Sequence, residues 1–254
     1  MNLKIKHFVV FITISLLHAC KEEKSILTEI AGKQLKVTDS IGAVDSIQAF
    51  ILPYQKRVNE VLDSTLAYAP YTISKTDGAY NTTAGNLLAD IVLERSNMVF
   101  KARTGKEVDF VVLNHGGIRS IISKGNVSSR TAYQVMPFEN KMAVVAMKGK
   151  AVRDLISFLI NANRAHPIAG LRIVMDQSKS LESVDIQGKP FDENRTYYIA
   201  TSDYLVNGGD DMVFFKDAED ITEVDYLIRN AMIDHFKEQD TIAPVVDDRF
   251  IQTN

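Results

Sequence analysis

The stretch Phe110-Val111-Val112-Leu113-Asn114-His115-Gly116-Gly117-Ile118-Arg119 decides how the chain is organised. It opens with a short apolar run that is typical of a strand buried on both faces. The run leads into a polar loop whose adjacent glycines, Gly116 and Gly117, allow the backbone to approach a ligand closely. Arg119 ends the loop with a planar donor group suited to phosphate or ribose oxygens. Alternatively, the loop is a tight turn with a solvated arginine.

Periodic apolar residues predict helices and strands around this segment. Helices are predicted at 45–66, at 83–98 with Thr82 or Thr83 as N-cap, after Ser128 or Ser129 up to Pro137, at 151–160, and through Val224, Leu227, Ile228, Ala231 and His235. Further strands are predicted at 143–147, 172–175, 184–186 and 197–201. Pro53 inside the first helical pattern indicates a kink or a late helix start. Because strands and helices mix without strict alternation, we predict the α+β class, a single domain with a mixed sheet packed with helices.

Composition excludes several classes of protein. The chain has 254 residues and a formal net charge of −3, with both signs interspersed. A nucleic-acid binder is usually basic, so we expect no nucleic-acid partner. The charge is also too mild for a disordered acidic protein.

The N-terminus has the pattern of an export signal. Basic residues precede an apolar run from Phe8 to Leu17, which is too short to span a bilayer but matches a signal-peptide core. The chain's single cysteine, Cys20, follows at once in a context that resembles a bacterial lipobox, where the cysteine is lipidated. An ordinary signal peptide with a chance cysteine is the alternative.

These features predict the organisation of the chain: signal peptide with lipobox at 1–20, polar tether at 21–44 and folded domain at 45–254. We therefore expect a protein of the cell envelope that contacts the membrane through a lipid anchor, at the outer membrane or the cell surface.

Two further polar segments present aromatic rings. Phe138 follows a proline and lies between polar residues, where it is either a stacking platform for a base or a core residue. The stretch Ser202–Asp211 contains the ring of Tyr204 and the carboxylate of Asp210, which can accept two hydrogen bonds from a vicinal diol. A calcium-like acidic turn is the alternative, although the regular ligand spacing of an EF-hand is missing.

In their order and spacing these segments resemble the C-terminal domain of 5'-nucleotidases. The resemblance rests on Gly-Gly-Ile-Arg ending at Arg119, Pro137-Phe138, Lys148-Gly149 before a helix, Asn207-Gly208-Gly209-Asp210, and Gly85-Asn86-Leu87 with Asp90 upstream. It covers about residues 45–251. Two positions depart from the family: Tyr204 stands where a phenylalanine is familiar, and Lys75 is the one cation in 74–81, where relatives often place an arginine.

The resemblance implies a role for each matching residue. Phe138 and Tyr204 look like the two rings that sandwich the nucleobase, and Asn114 looks like the residue that hydrogen-bonds the base. Arg119 and Asp210 look like the ribose and phosphate contacts. The glycines of the two loops complete the implied substrate-binding set: Gly116, Gly117, Gly208 and Gly209.

The resemblance also implies what the chain does. The family's enzymes hydrolyse phosphate esters with two metal ions held by a separate N-terminal domain. His115, His166 and His235 lie in none of the usual settings of such metal ligands, and His235 looks like a packing residue. We therefore predict no catalytic residue, no metal ligand and no cofactor in this chain, with divalent metals confined to a partner.

We expect the chain to bind the nucleoside part of a nucleotide and to work with a separately encoded metallophosphatase. The alternatives are a non-catalytic lipoprotein that captures nucleosides or nucleotides, and a hydrolase that acts alone by unfamiliar chemistry.

Overall fold

The computed structural model describes residues 7, 9–10, 27–38, 40–162 and 164–253. Backbone contacts divide the chain into two compact units, Met1–Phe50 and Ile51–Asn254. Cys20 and almost all of the predicted signal peptide lie outside the described residues. The described residues of the predicted tether are exposed and lie outside regular structure. None of the helices in the described part of the chain has both the length and the apolar character needed to cross a membrane.

The first long helix, α1 (Asp45–Asp63), begins where the apolar spacing predicts it. It runs through Pro53 as one element, so the predicted late start is wrong. None of its residues is buried, although apolar residues recur at helical spacing along it. The helix ends earlier than expected because the chain passes within two residues into a strand.

The helices and strands of the unit Ile51–Asn254 follow one another along the chain. They are β1 (Thr65–Ala69), α2 (Thr83–Thr104), β2 (Phe110–Val112), β3 (Gly125–Ser128), α3 (Ser129–Val135), β4 (Lys141–Lys148), α4 (Gly149–Asn161), β5 (Ile168–Ala169), β6 (Leu171–Met175), β7 (Leu181–Ile186), β8 (Lys189–Pro190), β9 (Thr196–Ser202), α5 (Asp203–Val206), β10 (Asp220–Leu227), α6 (Ile228–Glu238) and β11 (Phe250–Gln252).

Two predicted caps are confirmed. The Thr82 side chain accepts a hydrogen bond from the backbone N–H of Gly85 at the start of α2. Ser128 forms a capping box with Thr131 at the start of α3. These contacts satisfy backbone N–H groups that a helix leaves unpaired at its first turn.

The sheets are mixed, which confirms the predicted α+β class. The central sheet has the strand order β10-β4-β9-β2-β5, in which β2 and β9 are parallel and the other pairs antiparallel. A second sheet has the order β11-β6-β7-β8, and β1 pairs with β3.

Both faces of the central sheet are buried. Side chains alternate along a strand, so neighbouring residues such as Val144 and Val145 enter different cores. Val144 and Val111 belong to the core shared with α2 and α6. Val145 and Phe110 belong to the core shared with α4 and β6. Burial on both sides explains why the strand before Asn114 is an unbroken apolar run.

The predicted last helix is wrong in its first half. Val224 and Leu227 belong to β10, which pairs with β4, and the helix begins only at Ile228. The pairing register is irregular between Glu223 and Leu227, and Asp225 has a positive φ of 56°. This irregularity interrupts the alternation of inward and outward side chains that identifies a strand. Val224, Leu227 and Ile228 therefore stand three and four residues apart, which matches helical spacing.

Candidate functional site

Three polar loops meet at one end of the central sheet. β2 and β9 are parallel, so the loops that follow them, beginning with Asn114 and with Asp203, leave at the same end. β4 runs antiparallel to β9, and its first residues pair with the last residues of β9, Met142 with Ser202. The loop that carries Phe138 just before β4 therefore reaches the same end. We call this end of the sheet the site end.

A cavity of about 230 Å³ lies between these loops. Its lining residues are Asn114, Gly116, Gly117, Arg119, Phe138, Asn140, Tyr204 and Asp210. We call it the candidate cavity. Among the residues predicted to bind substrate, Gly208 and Gly209 alone are not part of this lining. Asn140 also lines it, beyond the predicted residues; its polar side chain two residues after Phe138 is the signal in the sequence that points to it.

Both aromatic rings of the candidate cavity are exposed. Phe138 is 40% exposed and Tyr204 is 46% exposed, so each ring leaves apolar surface uncovered at the cavity. The guanidinium carbon of Arg119 lies 5.9 Å from the centroid of the Phe138 ring. The cavity thus presents apolar faces next to a positive charge.

Asp210 connects two of the loops. Its Oδ2 accepts a hydrogen bond of 2.6 Å from Nδ2 of Asn114, and its Oδ1 accepts one of 3.3 Å from the Tyr204 hydroxyl. Its φ of 50° lies in the left-handed region, which aspartate tolerates better than most residues. Because the bond from Tyr204 is long and exposed, Oδ1 can exchange it for a ligand hydroxyl at little cost.

Two glycines allow the loops to approach one another. A Cβ added to Gly209 would lie 2.4 Å from atoms of the Tyr204 ring. A Cβ added to Gly116 would lie 3.1 Å from Oδ2 of Asp210. Gly209 therefore shapes the candidate cavity by setting the position of the Tyr204 ring, without itself reaching the cavity.

Two histidines support the loop that carries Asn114. The backbone N–H of His115 donates to Nδ1 of His166 at 3.3 Å, and Nδ1 of His115 lies 3.2 Å from the carbonyl oxygen of Ala165. Burial lowers the pKa of His166 to about 4, so this ring is neutral at pH 7. His115, the histidine closest in sequence to the predicted ligand residues, is thus engaged in holding its own loop.

Lys75 also hydrogen-bonds to the loop that carries Asn114. Its Nζ donates to the carbonyl oxygen of Ile118 at 2.6 Å. Burial, followed by the positive charges of Arg119 and Arg164, lowers the pKa of Lys75. Lys75 is not among the residues that line the candidate cavity. It is close enough to Arg119 for the two charges to raise the local positive potential together.

A larger groove, of about 820 Å³, lies at the other end of the central sheet. Its buried carboxylate, Asp109, accepts hydrogen bonds from Arg195 and from the backbone N–H of Tyr198. Within the described ranges, histidine, cysteine, aspartate and glutamate side chains form no group of three or more suited to a metal ion.

Comparison with known proteins gives consistent results. The family model for the 5'-nucleotidase C-terminal domain matches residues 64–217. A 5'-nucleotidase of Vibrio vulnificus is 28% identical over 229 residues, covering 81% of this chain and 38% of the relative. Protein UshA of Yersinia enterocolitica is 34% identical over 106 residues, covering 40% of this chain and 19% of the relative.

A solved structure shows the same fold. The 5'-nucleotidase precursor of Thermus thermophilus superposes with a TM-score of 0.68 at 22% identity, covering 83% of this chain and 43% of that one. The chain thus spans less than half the length of these relatives.

Proposed function

This chain belongs to the family of 5'-nucleotidase C-terminal domains, and we propose that it binds the nucleoside part of a nucleotide in the candidate cavity. One observation carries the proposal: two exposed rings, Phe138 and Tyr204, stand on separate loops around a cavity that also contains the Asp210 carboxylate. Apolar faces for a base together with a few convergent polar groups are what a nucleoside requires.

In this proposal the lining residues contact different parts of the ligand. The rings of Phe138 and Tyr204 stack on the base, which is worth about 1–3 kcal/mol per ring by alanine substitution. Asn114 and Asn140 offer amide groups to its polar edge. Asp210 accepts from the ribose diol in place of the Tyr204 hydroxyl. Arg119 provides the donor group for the phosphate.

We propose that hydrolysis itself requires a second chain, a metallophosphatase. A two-metal centre generates hydroxide and neutralises the charge of the phosphoryl group during displacement. This chain's residues would hold the nucleoside so that its phosphate projects toward that partner.

A second candidate function is capture of nucleosides without catalysis. It is favoured by the composition of the candidate cavity, where this chain's own residues supply both rings for a base and polar groups for the sugar. Under either function we propose a lipid anchor at Cys20 that retains the protein in the cell envelope. Cys20→Ser should then release it from the membrane fraction, and unchanged membrane association would refute the anchor.

The assignment of Asp210 is tested by titrating adenosine and 2'-deoxyadenosine into wild type and Asp210→Asn in a calorimeter. Hydrogen bonds to charged groups contribute about 1.5–3 kcal/mol, so adenosine affinity should fall by about tenfold or more. Loss of 2'-deoxyadenosine affinity should be smaller, since that ligand lacks half of the diol. Asp211→Asn is the matched control: Asp211 also has a positive φ but does not line the cavity. Equal losses for the two ligands would contradict the assignment.

The requirement for a partner is tested with AMP as substrate. The purified mature chain should release no phosphate with Mn²⁺, Co²⁺ or Zn²⁺. A metallophosphatase encoded in the neighbouring reading frame should gain affinity for AMP when this chain is added. Metal-dependent turnover that co-purifies with this chain alone would overturn the proposal that hydrolysis requires a second chain. If adding this chain leaves the kinetics of the metallophosphatase unchanged, capture without catalysis is favoured.

A further inference from the structure

One buried arginine contacts the loop that carries a ring of the candidate cavity. Arg229, in the first turn of α6, is only 4% exposed. Its Nη1 donates to the carbonyl oxygen of Phe138 at 3.2 Å, and its Nη2 donates to the carboxylate of Glu139. The guanidinium carbon lies 4.2 Å from the centroid of the Tyr133 ring in α3. Arg229 is thus fixed by a ring and directs its donors at the loop.

The neighbouring residue extends this attachment. The backbone N–H of Ile228 donates to the carbonyl oxygen of Asn140 at 3.0 Å. The first turn of α6 therefore holds three consecutive residues, 138–140, by main-chain and side-chain bonds. Two of these residues, Phe138 and Asn140, line the candidate cavity.

Stability alone does not account for a guanidinium in this position. Burying a charge is costly, and the charged partner, Glu139, has a side chain that is 74% exposed, so solvent screens the ion pair. The Nε of Arg229 is buried and has no hydrogen-bond partner among the described residues. An apolar side chain would fill the same space without these costs, but it could not donate to the Phe138 carbonyl.

We propose that Arg229 is a positioning residue for nucleoside binding, which holds the backbone of residues 138–140 so that the Phe138 ring faces the candidate cavity before the ligand arrives. The proposal rests on the proposed function. A loop that is ordered in advance does not have to lose conformational freedom on binding, so its order contributes directly to affinity.

The chain provides a matched control in Arg95. Arg95 is 6% exposed, its guanidinium pairs with the half-exposed Glu238, and its Nε is also buried without a partner in the described part of the chain. Its partner lies in the last turn of α6, whereas Arg229 lies in the first. Arg95 itself lies in α2, so Arg95→Met removes a comparable buried guanidinium and its ion pair at the end of α6 that is remote from residues 138–140.

The experiment combines calorimetric titration of adenosine with thermal unfolding. Tm should change little in both variants, because Met replaces a buried charge whose partner is screened by solvent. Arg229→Met should nevertheless weaken adenosine binding by about five- to tenfold, and Arg95→Met by less than about twofold. A double-mutant cycle separates positioning from a general structural effect. In a Phe138→Ala background, Arg229→Met should weaken binding by less than about twofold, because the ring that it positions is already absent.

A more conservative variant protects the test if Arg229→Met does not fold. Arg229→Lys keeps the charge but lacks the planar fork, so adenosine affinity should fall to a value between wild type and Arg229→Met. Two results overturn the inference alone: wild-type affinity in the Arg229 variants while Phe138→Ala binds weakly, or additive losses in the double mutant. If wild type binds no adenosine, the proposed function fails and the inference fails with it.

Discussion

The two ends of the central sheet carry grooves of opposite character. At the amino end of β2 the groove is large, about 820 Å³, and its buried carboxylate, Asp109, is fully engaged by Arg195 and the Tyr198 backbone. At the site end the candidate cavity is small, about 230 Å³, yet two of its rings are exposed. The proposed binding site is thus the smaller of the two grooves.

The two ends differ in how far their hydrogen-bonding groups are already paired and their apolar surfaces already covered by the fold. The bonds of Asp109 keep β2 and β9 together and leave little capacity for a ligand. The candidate cavity has apolar surface that the fold leaves uncovered, and Asp210 has one oxygen held only by a long bond from Tyr204. Substitutions at the first end should change stability, and substitutions at the site end should change affinity.

The largest effect on stability is expected from Asp109→Ala. The change leaves the Tyr198 N–H and Arg195 without their acceptor, which should lower the free energy of unfolding by about 2–3 kcal/mol. Asp109→Asn retains an acceptor for Tyr198 and should cost less. Urea unfolding measures the first quantity, and adenosine affinity of the folded variant should remain at the wild-type value. If Asp109→Ala weakened adenosine binding as much as a substitution in the candidate cavity does, the two ends would not differ in function.

Acid should destabilise the site end through His166. Its folded pKa of about 4 lies below the ordinary value of 6.5. Above pH 6.5 the ring is neutral in both states and contributes no pH dependence; as the pH falls toward 4, the unfolded chain binds a proton that the folded chain does not, and stability is lost. Between pH 7 and 4.5, wild type should lose on the order of 2 kcal/mol more than His166→Asn. Parallel stability curves for the two proteins would show that His166 is not held neutral.

A smaller effect is expected from Gly209→Ala, which adds a methyl group where the Tyr204 ring lies. Since the ring is exposed and can rotate outward, Tm should change little, whereas adenosine affinity should fall by about threefold to tenfold. Gly105→Ala at the end of α2 is a useful contrast, because its φ of 72° strains alanine although the site around it is open. That variant should lose stability and keep affinity.

The smallest effect is expected from Tyr204→Phe. It removes one exposed hydrogen bond to Asp210 and keeps the ring, so adenosine affinity should stay within about threefold of wild type. Loss of binding comparable to Tyr204→Ala would mean that the hydroxyl, not the ring, contacts the ligand.

Much of the site end was predictable because local sequence determines it. An apolar run followed by a glycine loop predicts a buried strand and its loop, and both are present at Phe110–Val112 and after it. Capping residues such as Thr82 and Ser128 were found because a side-chain acceptor at a helix start acts over three residues.

Long-range partners were not predictable from local pattern. Nothing near Arg229 in the sequence indicates that it contacts Phe138, 91 residues away. The same applies to the Asn114 bond to Asp210, across 96 residues. Burial is not predictable from local pattern either: apolar residues recur at helical spacing along α1, yet none of its residues is buried, because the spacing indicates a face but not what covers it.

The most direct test of the account is calorimetric titration of adenosine into wild type, Phe138→Ala and Asp109→Ala at pH 7. If the candidate cavity binds the nucleoside, wild type should bind adenosine saturably, and Phe138→Ala should lose about tenfold or more in affinity with little change in Tm. Asp109→Ala should keep wild-type affinity despite its lower Tm. Binding by wild type that Phe138→Ala leaves intact and Asp109→Ala weakens would place the nucleoside at the other end of the sheet and contradict the account.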